Sequence, residues 1–229
     1  MRLDLHIHTC YSYDSLLSLD AVEKVVMRKG LYGVAVLDHD EIDGALHLRE
    51  QASFHVIVGE EIGTQHGGIG GLFLHKRIPP HLSAEETANR IHAQGGLVFI
   101  PHPLARGVPG RIQERELLKI INRVDLIEGY NARAPLPADD RRARQLAVQH
   151  GLPVAAGSDG HFACEIGRAW TEMDAFRGAE QFLASLRRGS LHYGTKIPYL
   201  VAALTVAMIA PLTALRSLRE ATSRRKPSL

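Results

Sequence analysis

Residues 2–8 read RLDLHIH, and this stretch shows the pattern on which the rest of the chain is built. Apolar and polar residues alternate in it, as they do in a half-buried β-strand. Successive side chains of a strand point to opposite faces, so we expect Asp4, His6 and His8 to share the face opposite the apolar residues. Two imidazoles two residues apart on one face can bind one cation. Asp4 is then expected to orient one of the two rings.

Comparable apolar runs recur along the chain and are predicted to be strands: residues 3–8, 33–37, 55–58, 71–74, 97–100, 124–127 and 153–156. Capping and stop signals predict helices between most of them, at residues 18–30, 42–51, 83–95, 113–122, 138–150 and 179–188. This alternation is typical of an α/β fold with a mostly parallel sheet, and seven strands favour a closed or nearly closed barrel. The glycine-rich segment at residues 67–71 is predicted to be a tight turn.

The composition sets limits on function. The 229 residues are 45% hydrophobic and carry a net charge of +2. Residues 216–229 hold five basic residues and one acidic residue, so the rest of the chain has a net charge of −2. Because residues 1–215 are close to neutral, the composition argues against binding of duplex DNA. Two cysteines are too few for a disulfide framework or a thiolate-rich zinc site. With no apolar leader at the N-terminus, we expect a cytoplasmic protein.

Ionisable side chains follow six of the seven predicted strands. The later segments are Asp38-His39-Asp40, Glu60-Glu61, His102, Glu128 to Asn131, and Asp159 to His161. The carboxyl ends of parallel strands lie on one rim of an α/β barrel, so these side chains are expected to converge. Imidazoles and carboxylates without thiolates suit Zn²⁺, Mn²⁺ or Fe²⁺. The number of ligands predicts a centre of two or three divalent ions, which is suited to hydrolysis of phosphate esters.

The ordered motifs DLHIHTCYSYDS (residues 4–15), LDHD (37–40), GEEI (59–62), PHP (101–103), EGYN (128–131) and GSDGH (157–161) resemble the PHP superfamily, named for polymerase and histidinol phosphatase. The resemblance covers residues 2–170. It implies a distorted seven-stranded β/α (TIM-like) barrel, here residues 1–195, and a short, stand-alone metal-dependent phosphoesterase. Residues 196–229 are expected to form an apolar C-terminal helix with a basic tail.

The resemblance also implies a role for individual residues. His6, His8, Glu61 and Asp159 would hold the first ion, Glu61 and His102 the second, and Asp14, His39 and His161 the third. His161 or Asp40 is predicted to protonate the leaving oxygen. Arg133 is the preferred phosphate-binding residue over Arg106 and Arg111, and a solvated loop arginine is the alternative for all three.

One position departs from the family pattern. Where members usually place a His or Glu ligand for the second ion, this chain has Gly68. Either the second ion is lost or weakly bound, or His66 or His75 substitutes. The alternatives to an active phosphoesterase are therefore a catalytically weakened metal-binding scaffold and a histidinol-phosphatase-like enzyme.

The expected substrate is a small phosphorylated molecule, with nucleotides and oligonucleotide ends included. The sequence leaves two alternatives for what the C-terminal segment contacts. Residues 197–215 contain no charged residue and are followed by a basic tail, which fits contact with a membrane. The alternative is an amphipathic helix packed on the barrel.

Overall fold

The computed structural model describes residues 1–189, 191–198, 200–202, 204, 205, 207–209 and 211. Its strands are β1 (Arg2–Ile7), β2 (Gly33–Val36), β3 (His55–Thr64), β4 (Gly67–Leu72), β5 (Leu97–Ile100), β6 (Leu126–Asn131), β7 (Val154–Gly157), β8 (Ala169–Glu172) and β9 (Leu191–Gly194). Its helices are α1 (Leu19–Lys29), α2 (Asp43–Gln51), α3 (Ala84–Ala93), α4 (Glu114–Ile120), α5 (Pro137–His150) and α6 (Gly178–Arg188).

The first seven strands form a nearly closed barrel, which confirms the predicted fold class. The strand order is β7-β6-β5-β4-β3-β2-β1-β8-β9. The segment after β7 returns to β1, where the His8 amide donates to the Gly160 carbonyl at 2.9 Å and the Asp159 amide donates to the His6 carbonyl at 2.8 Å. The last residues of β1 and the segment after β7 are thereby held side by side at one end of the barrel.

Two features of the sheet differ from the sequence predictions. Strand β4 is antiparallel to both β3 and β5, and two further strands, β8 and β9, continue the sheet beyond β1 in antiparallel pairing. The prediction of a tight turn at residues 67–71 is wrong, because these residues belong to β4. A β-carbon on Gly70 would lie 2.8 Å from the Phe99 ring, so the glycines of β4 make room for neighbouring side chains.

Strand β1 does not alternate regularly, and the prediction that Asp4 shares a face with His6 and His8 is wrong. The register between β1 and β2 shifts between Asp4 and Ile7. As a result Leu5 packs in the same apolar cluster as Phe99, and the His6 ring also meets the Phe99 ring edge-on at 6.2 Å. Asp4 instead accepts hydrogen bonds from the amides of Ser158 and Gly167, and it orients no imidazole.

Two apolar layers support the barrel. The inner cluster contains residues of β1, β2, β3, β5 and β6, and it is closed by Phe176, Phe182 and Leu186 from α6 and the segment before it. The larger, outer cluster joins the strands to α1–α5. Ser18 caps α1, Ser83 caps α3, and Gly30 and Gly151 end α1 and α5 in the left-handed conformation, as predicted.

The C-terminal segment packs on the barrel as far as it is described. Ile197 lies in a small buried cluster with Ala132, Ala156 and Ala169, and residues 200–202, 204, 205, 207–209 and 211 are helical. Among the residues that the structure describes, no helix combines the length and apolar character needed to cross a membrane. Part of the predicted 197–215 segment, and all of the basic tail, lie outside the described residues.

Candidate metal centre

Three overlapping groups of His, Asp and Glu side chains meet at the end of the barrel where β1 and the segment after β7 join. Within each group the ligand atoms lie within 4.8 Å of one another. The groups are His6, His8 and Glu61; His6, His102 and Asp159; and His8, Asp14, His39 and His161. We call these eight residues the metal centre. They are the eight residues that the sequence analysis predicts as metal ligands.

The strands bring these side chains together from distant parts of the chain. His6 lies on β1 and His8 directly follows it, whereas Glu61 lies within β3 rather than beyond its end. His39 follows β2, His102 follows β5, and Asp159 follows β7. His102 has a φ of 31° and Asp159 a φ of 55°, and such backbone strain in residues other than glycine is concentrated at functional sites.

The innermost atoms of the centre point at one another. His6 Nε2 and His8 Nε2 are 3.0 Å apart. Glu61 Oε2 lies 3.3 Å from His6 Nε2 and 3.6 Å from His8 Nε2, and Asp159 Oδ1 lies 3.7 Å and 3.4 Å from the same two nitrogens. His8 Nδ1, His102 Nδ1 and Glu61 Oε2 are buried without a hydrogen-bond partner in the described part of the chain. The converging nitrogen and oxygen atoms, among them the unsatisfied Glu61 Oε2, fit divalent cations.

The electrostatics keep the carboxylates of the centre ionised. Burial raises the pKa of Glu61, but the charges and hydrogen bonds of His39, His102 and His6 outweigh it and hold the pKa well below its ordinary value. The pKa of Asp159 is lowered in the same way against the effect of burial, chiefly by His6. Burial and the charge of His161 lower the pKa of His8 to about 3, so His8 is neutral and its ring has a lone pair for a cation.

The third group lies on the exposed side of the centre. Asp14 Oδ2 is 3.1 Å from His161 Nε2 and 3.2 Å from His39 Nε2. Ser12 holds this group in place, because its hydroxyl donates to Asp14 Oδ1 at 2.7 Å and accepts from the His39 amide at 3.2 Å. His161 Nδ1–H donates a hydrogen bond to the Asp159 carbonyl oxygen at 2.8 Å, and Nε2 is directed at Asp14.

Glu128, within β6, supports the ligands of the centre. One of its carboxylate oxygens accepts from His6 Nδ1 at 3.1 Å. The other accepts from the His102 amide at 2.7 Å and from Asn131 Nδ2 at 2.8 Å, and Asn131 Nδ2 also lies 3.2 Å from Asp159 Oδ2. The sequence analysis places Glu128 at a strand end but predicts no role for it. Its position in the EGYN motif was the available signal.

The residues predicted to act in catalysis occupy different surroundings. His161 belongs to the third group of ligands. Asp40 lies outside the three groups, and its Oδ1 accepts from the Gly63 amide at 2.7 Å. The guanidinium of Arg133, only 13% exposed, donates to both oxygens of buried Glu165 at 2.9 Å and to Thr205 Oγ1 at 3.1 Å. Arg133 therefore already has a carboxylate partner, and its role as a phosphate ligand stays a prediction.

Gly68 lies beside the centre. A β-carbon there would be 2.9 Å from Glu61 Oε1, so the present position of Glu61 leaves no room for a side chain at residue 68. His102 Nε2 lies 3.5 Å from the same oxygen. Within the described ranges, neither His66 nor His75 belongs to a metal-binding group.

Comparisons with known proteins agree with this geometry. A family described as PHP-associated (PHP_C) matches residues 137–191. The uncharacterized protein MJ0417 of Methanocaldococcus jannaschii is 32% identical over 176 residues, which are 74% of this chain and 69% of that protein. A second uncharacterized protein of the same organism, MJ1587, is 38% identical over 58% of this chain and 82% of its own length.

A solved structure shares the fold. It is a two-domain protein of Bacteroides vulgatus that contains a predicted PHP-like metal-dependent phosphoesterase, with a TM-score of 0.66 and 20% sequence identity. The match covers 85% of this chain, and the chain spans 65% of that protein. From the relatives, the family match and the arrangement of the metal centre, we conclude that the chain belongs to the PHP superfamily.

Proposed function

We propose that the protein is a metal-dependent hydrolase of phosphate esters that acts on a small phosphorylated substrate. The observation that carries the proposal is the convergence of the three ligand groups in one buried centre with one exposed side. Two or three divalent ions, Zn²⁺, Mn²⁺ or Fe²⁺, would supply Lewis acidity and an activated water there when bound. The names of structurally similar proteins, such as the B. vulgatus phosphoesterase, support the same class of reaction.

The residues of this chain would hold the metal ions and orient the side chains that bind them. Glu128 accepts a hydrogen bond from His6 Nδ1, which would leave Nε2 for a cation. Asn131 Nδ2 donates to the Asp159 carboxylate and orients it. His161 has its Nε2 on Asp14, which suits a metal ligand better than a proton donor. Delivery of a proton to the leaving oxygen by Asp40 stays a prediction.

A second candidate function rests on Gly68. With no ligand at this position, the second ion depends on Glu61 and His102, and a weakly occupied second site would give a metal-binding scaffold of low activity. A histidinol-phosphatase-like activity is one member of the phosphoesterase class that the same centre allows.

The test compares the metal-loaded protein with a His6→Ala/His8→Ala variant on a panel of phosphomonoesters and phosphodiesters. Metal content is measured by elemental analysis on both proteins. We expect metal-dependent hydrolysis by the wild type and loss of both metal and hydrolysis in the variant. Bound metal without hydrolysis of any ester would favour the scaffold, and unchanged activity of the variant would overturn the proposal.

A further inference from the structure

The exposure of its eight ligands shows that solvent reaches the metal centre from one side. The side chains of His39 and Asp14 are 21% and 24% exposed. Those of the other six ligands are at most 7% exposed. A substrate that reaches the centre must therefore approach past His39 and Asp14, and the part of it that does not react remains on this side.

Tyr13 lies at this entrance. Its ring stacks on the His39 ring with 4.8 Å between the centroids and 21° between the planes. Tyr13 is nevertheless 54% exposed, so one face of its ring rests on a metal ligand and the ring remains largely accessible to solvent. The adjacent bonds of Ser12 to Asp14 and His39 hold the loop that presents the ring.

We propose that the exposed face of Tyr13 is a stacking platform for the planar, aromatic part of the substrate, and that the substrate class is nucleoside phosphates. The proposal rests on the proposed hydrolysis of phosphate esters. Stacking on an aromatic side chain is tolerant of base identity, because every base has a π-face. A phosphoryl group bound at the centre would leave the attached nucleoside beside Tyr13.

Tyr11 provides a matched control. It is an exposed tyrosine of the same loop, but its hydroxyl hydrogen-bonds to His47 Nδ1 at 2.9 Å and its ring lies against His47 of α2. It therefore contacts a helix rather than a ligand of the centre, and its replacement tests whether the loss of any loop tyrosine has the same effect.

The experiment uses adenosine 5′-monophosphate and glycerol 1-phosphate, two phosphomonoesters of which only the first has an aromatic ring. We expect Tyr13→Leu to lower kcat/KM for the nucleotide about 10-fold, as the loss of one base stack implies. The loss on glycerol 1-phosphate should be clearly smaller than the loss on the nucleotide. Tyr13→Phe, which keeps the ring, and Tyr11→Leu should both behave like the wild type on both esters. Equal losses on both esters in Tyr13→Leu would overturn the platform.

A binding measurement separates this inference from the proposed function. Saturation-transfer NMR with adenosine 5′-monophosphate should show strong transfer to the base protons in the wild type and in Tyr13→Phe, and weak transfer in Tyr13→Leu. Equal transfer in all three proteins would overturn the platform, whether or not the ester is hydrolysed. If the wild type hydrolyses neither ester, the proposed function fails while the NMR result still decides the role of Tyr13.

Discussion

Glu128 illustrates how one buried carboxylate can set the chemistry of a metal centre without binding a metal. It accepts a hydrogen bond from His6 Nδ1, so Nε2, which faces His8, Glu61 and Asp159, is the nitrogen that would bind a cation. It also anchors the backbone of His102 and the amide of Asn131. The carboxylate thus sets the tautomer of His6 and holds the backbone of His102 in position.

We predict that Glu128→Gln weakens metal binding about 10- to 100-fold, the range found when partners of metal ligands are removed. If the glutamine oxygen keeps the bonds to His102 and Asn131, its amide group faces His6 Nδ1 and forces the proton onto Nε2. Competition titration with Zn²⁺ or Mn²⁺ measures the affinity, and histidine ¹⁵N NMR reports the tautomer. The exposed substitution Glu86→Gln serves as the control. Unchanged affinity in Glu128→Gln would refute the tautomer argument.

At the scale of elements, the loop after β6 is tied to the segment after β7 and to the C-terminal segment. Arg133 bonds to Glu165, and Glu165 accepts from the His161 amide at 2.8 Å. On the other side, Lys196 Nζ donates to the Asn131 carbonyl at 2.7 Å. Two residues near ligands of the centre, Asn131 and Glu165, therefore depend on contacts outside the barrel strands.

We expect Arg133→Met to lower the free energy of unfolding by about 3–5 kcal/mol, because it leaves Glu165 buried without its cation. Arg90→Met removes an exposed ion pair with Glu86 and should cost only about 0.3–0.5 kcal/mol. Denaturant unfolding measures both. Adding Glu165→Gln to Arg133→Met should recover part of the stability, and a normal stability of Arg133→Met would instead favour the phosphate-binding role.

His55, at the start of β3, makes the stability of the barrel depend on pH. Its ring lies between Tyr32, at 5.7 Å, and Phe176, at 5.3 Å, and partial burial lowers its pKa below the ordinary value of 6.5. The unfolded chain therefore binds the proton of His55 more readily than the folded chain does. Stability is lost as the pH falls below about 6.5.

The variant His55→Phe should reduce this loss, since a phenyl ring keeps the aromatic contacts but has no proton to bind. We predict that the Tm of the variant relative to the wild type rises as the pH is lowered from about 7.5 to 5. Both proteins are compared with a chelator present, so that metal release does not contribute. The exposed substitution His150→Gln should leave the pH dependence parallel to that of the wild type. A Tm difference that does not vary with pH would contradict the prediction.

At the scale of the whole molecule, the metal centre lies at the place where the barrel closes. Its ligands come from β1, β3 and the segments after β1, β2, β5 and β7, and the hydrogen bonds between His6, His8, Asp159 and Gly160 join β1 to the segment after β7. A cation bound there would link strands around most of the barrel and would bind the folded chain far better than the unfolded chain.

Removal of metal should accordingly lower the Tm of the whole domain. A ligand at about 100 times its Kd stabilises the folded state by about 2.7 kcal/mol, so returning Zn²⁺ or Mn²⁺ to chelator-treated protein should raise the Tm by several degrees. His6→Ala/His8→Ala should lose this response, whereas exposed His75→Ala should keep it. A metal-independent Tm in the wild type would show that the centre does not hold cations tightly.

The local pattern of the chain predicted most strands of the barrel, most helix ends and ionisable side chains that converge on one rim. Apolar runs of strand length, capping residues such as Ser18, and ionisable residues after six of the seven runs are all short-range signals. Parallel strands bring those residues to one rim regardless of how far apart they lie in the chain. The eight individual ligands were implied by the resemblance to the PHP superfamily, and their role in metal binding stays a prediction.

The tertiary structure decided what depends on contacts between distant segments. The register shift in β1 turns Asp4 away from the centre, and the closeness of Glu61 to residue 68 and of Phe99 to residue 70 explains the glycines at these two positions of β4. The pairing of Glu128 with His6, of Arg133 with Glu165, and of Tyr13 with His39 likewise results from packing across the barrel. Side-chain period and spacing specify which face a residue is on, but only close packing specifies which partner it meets there.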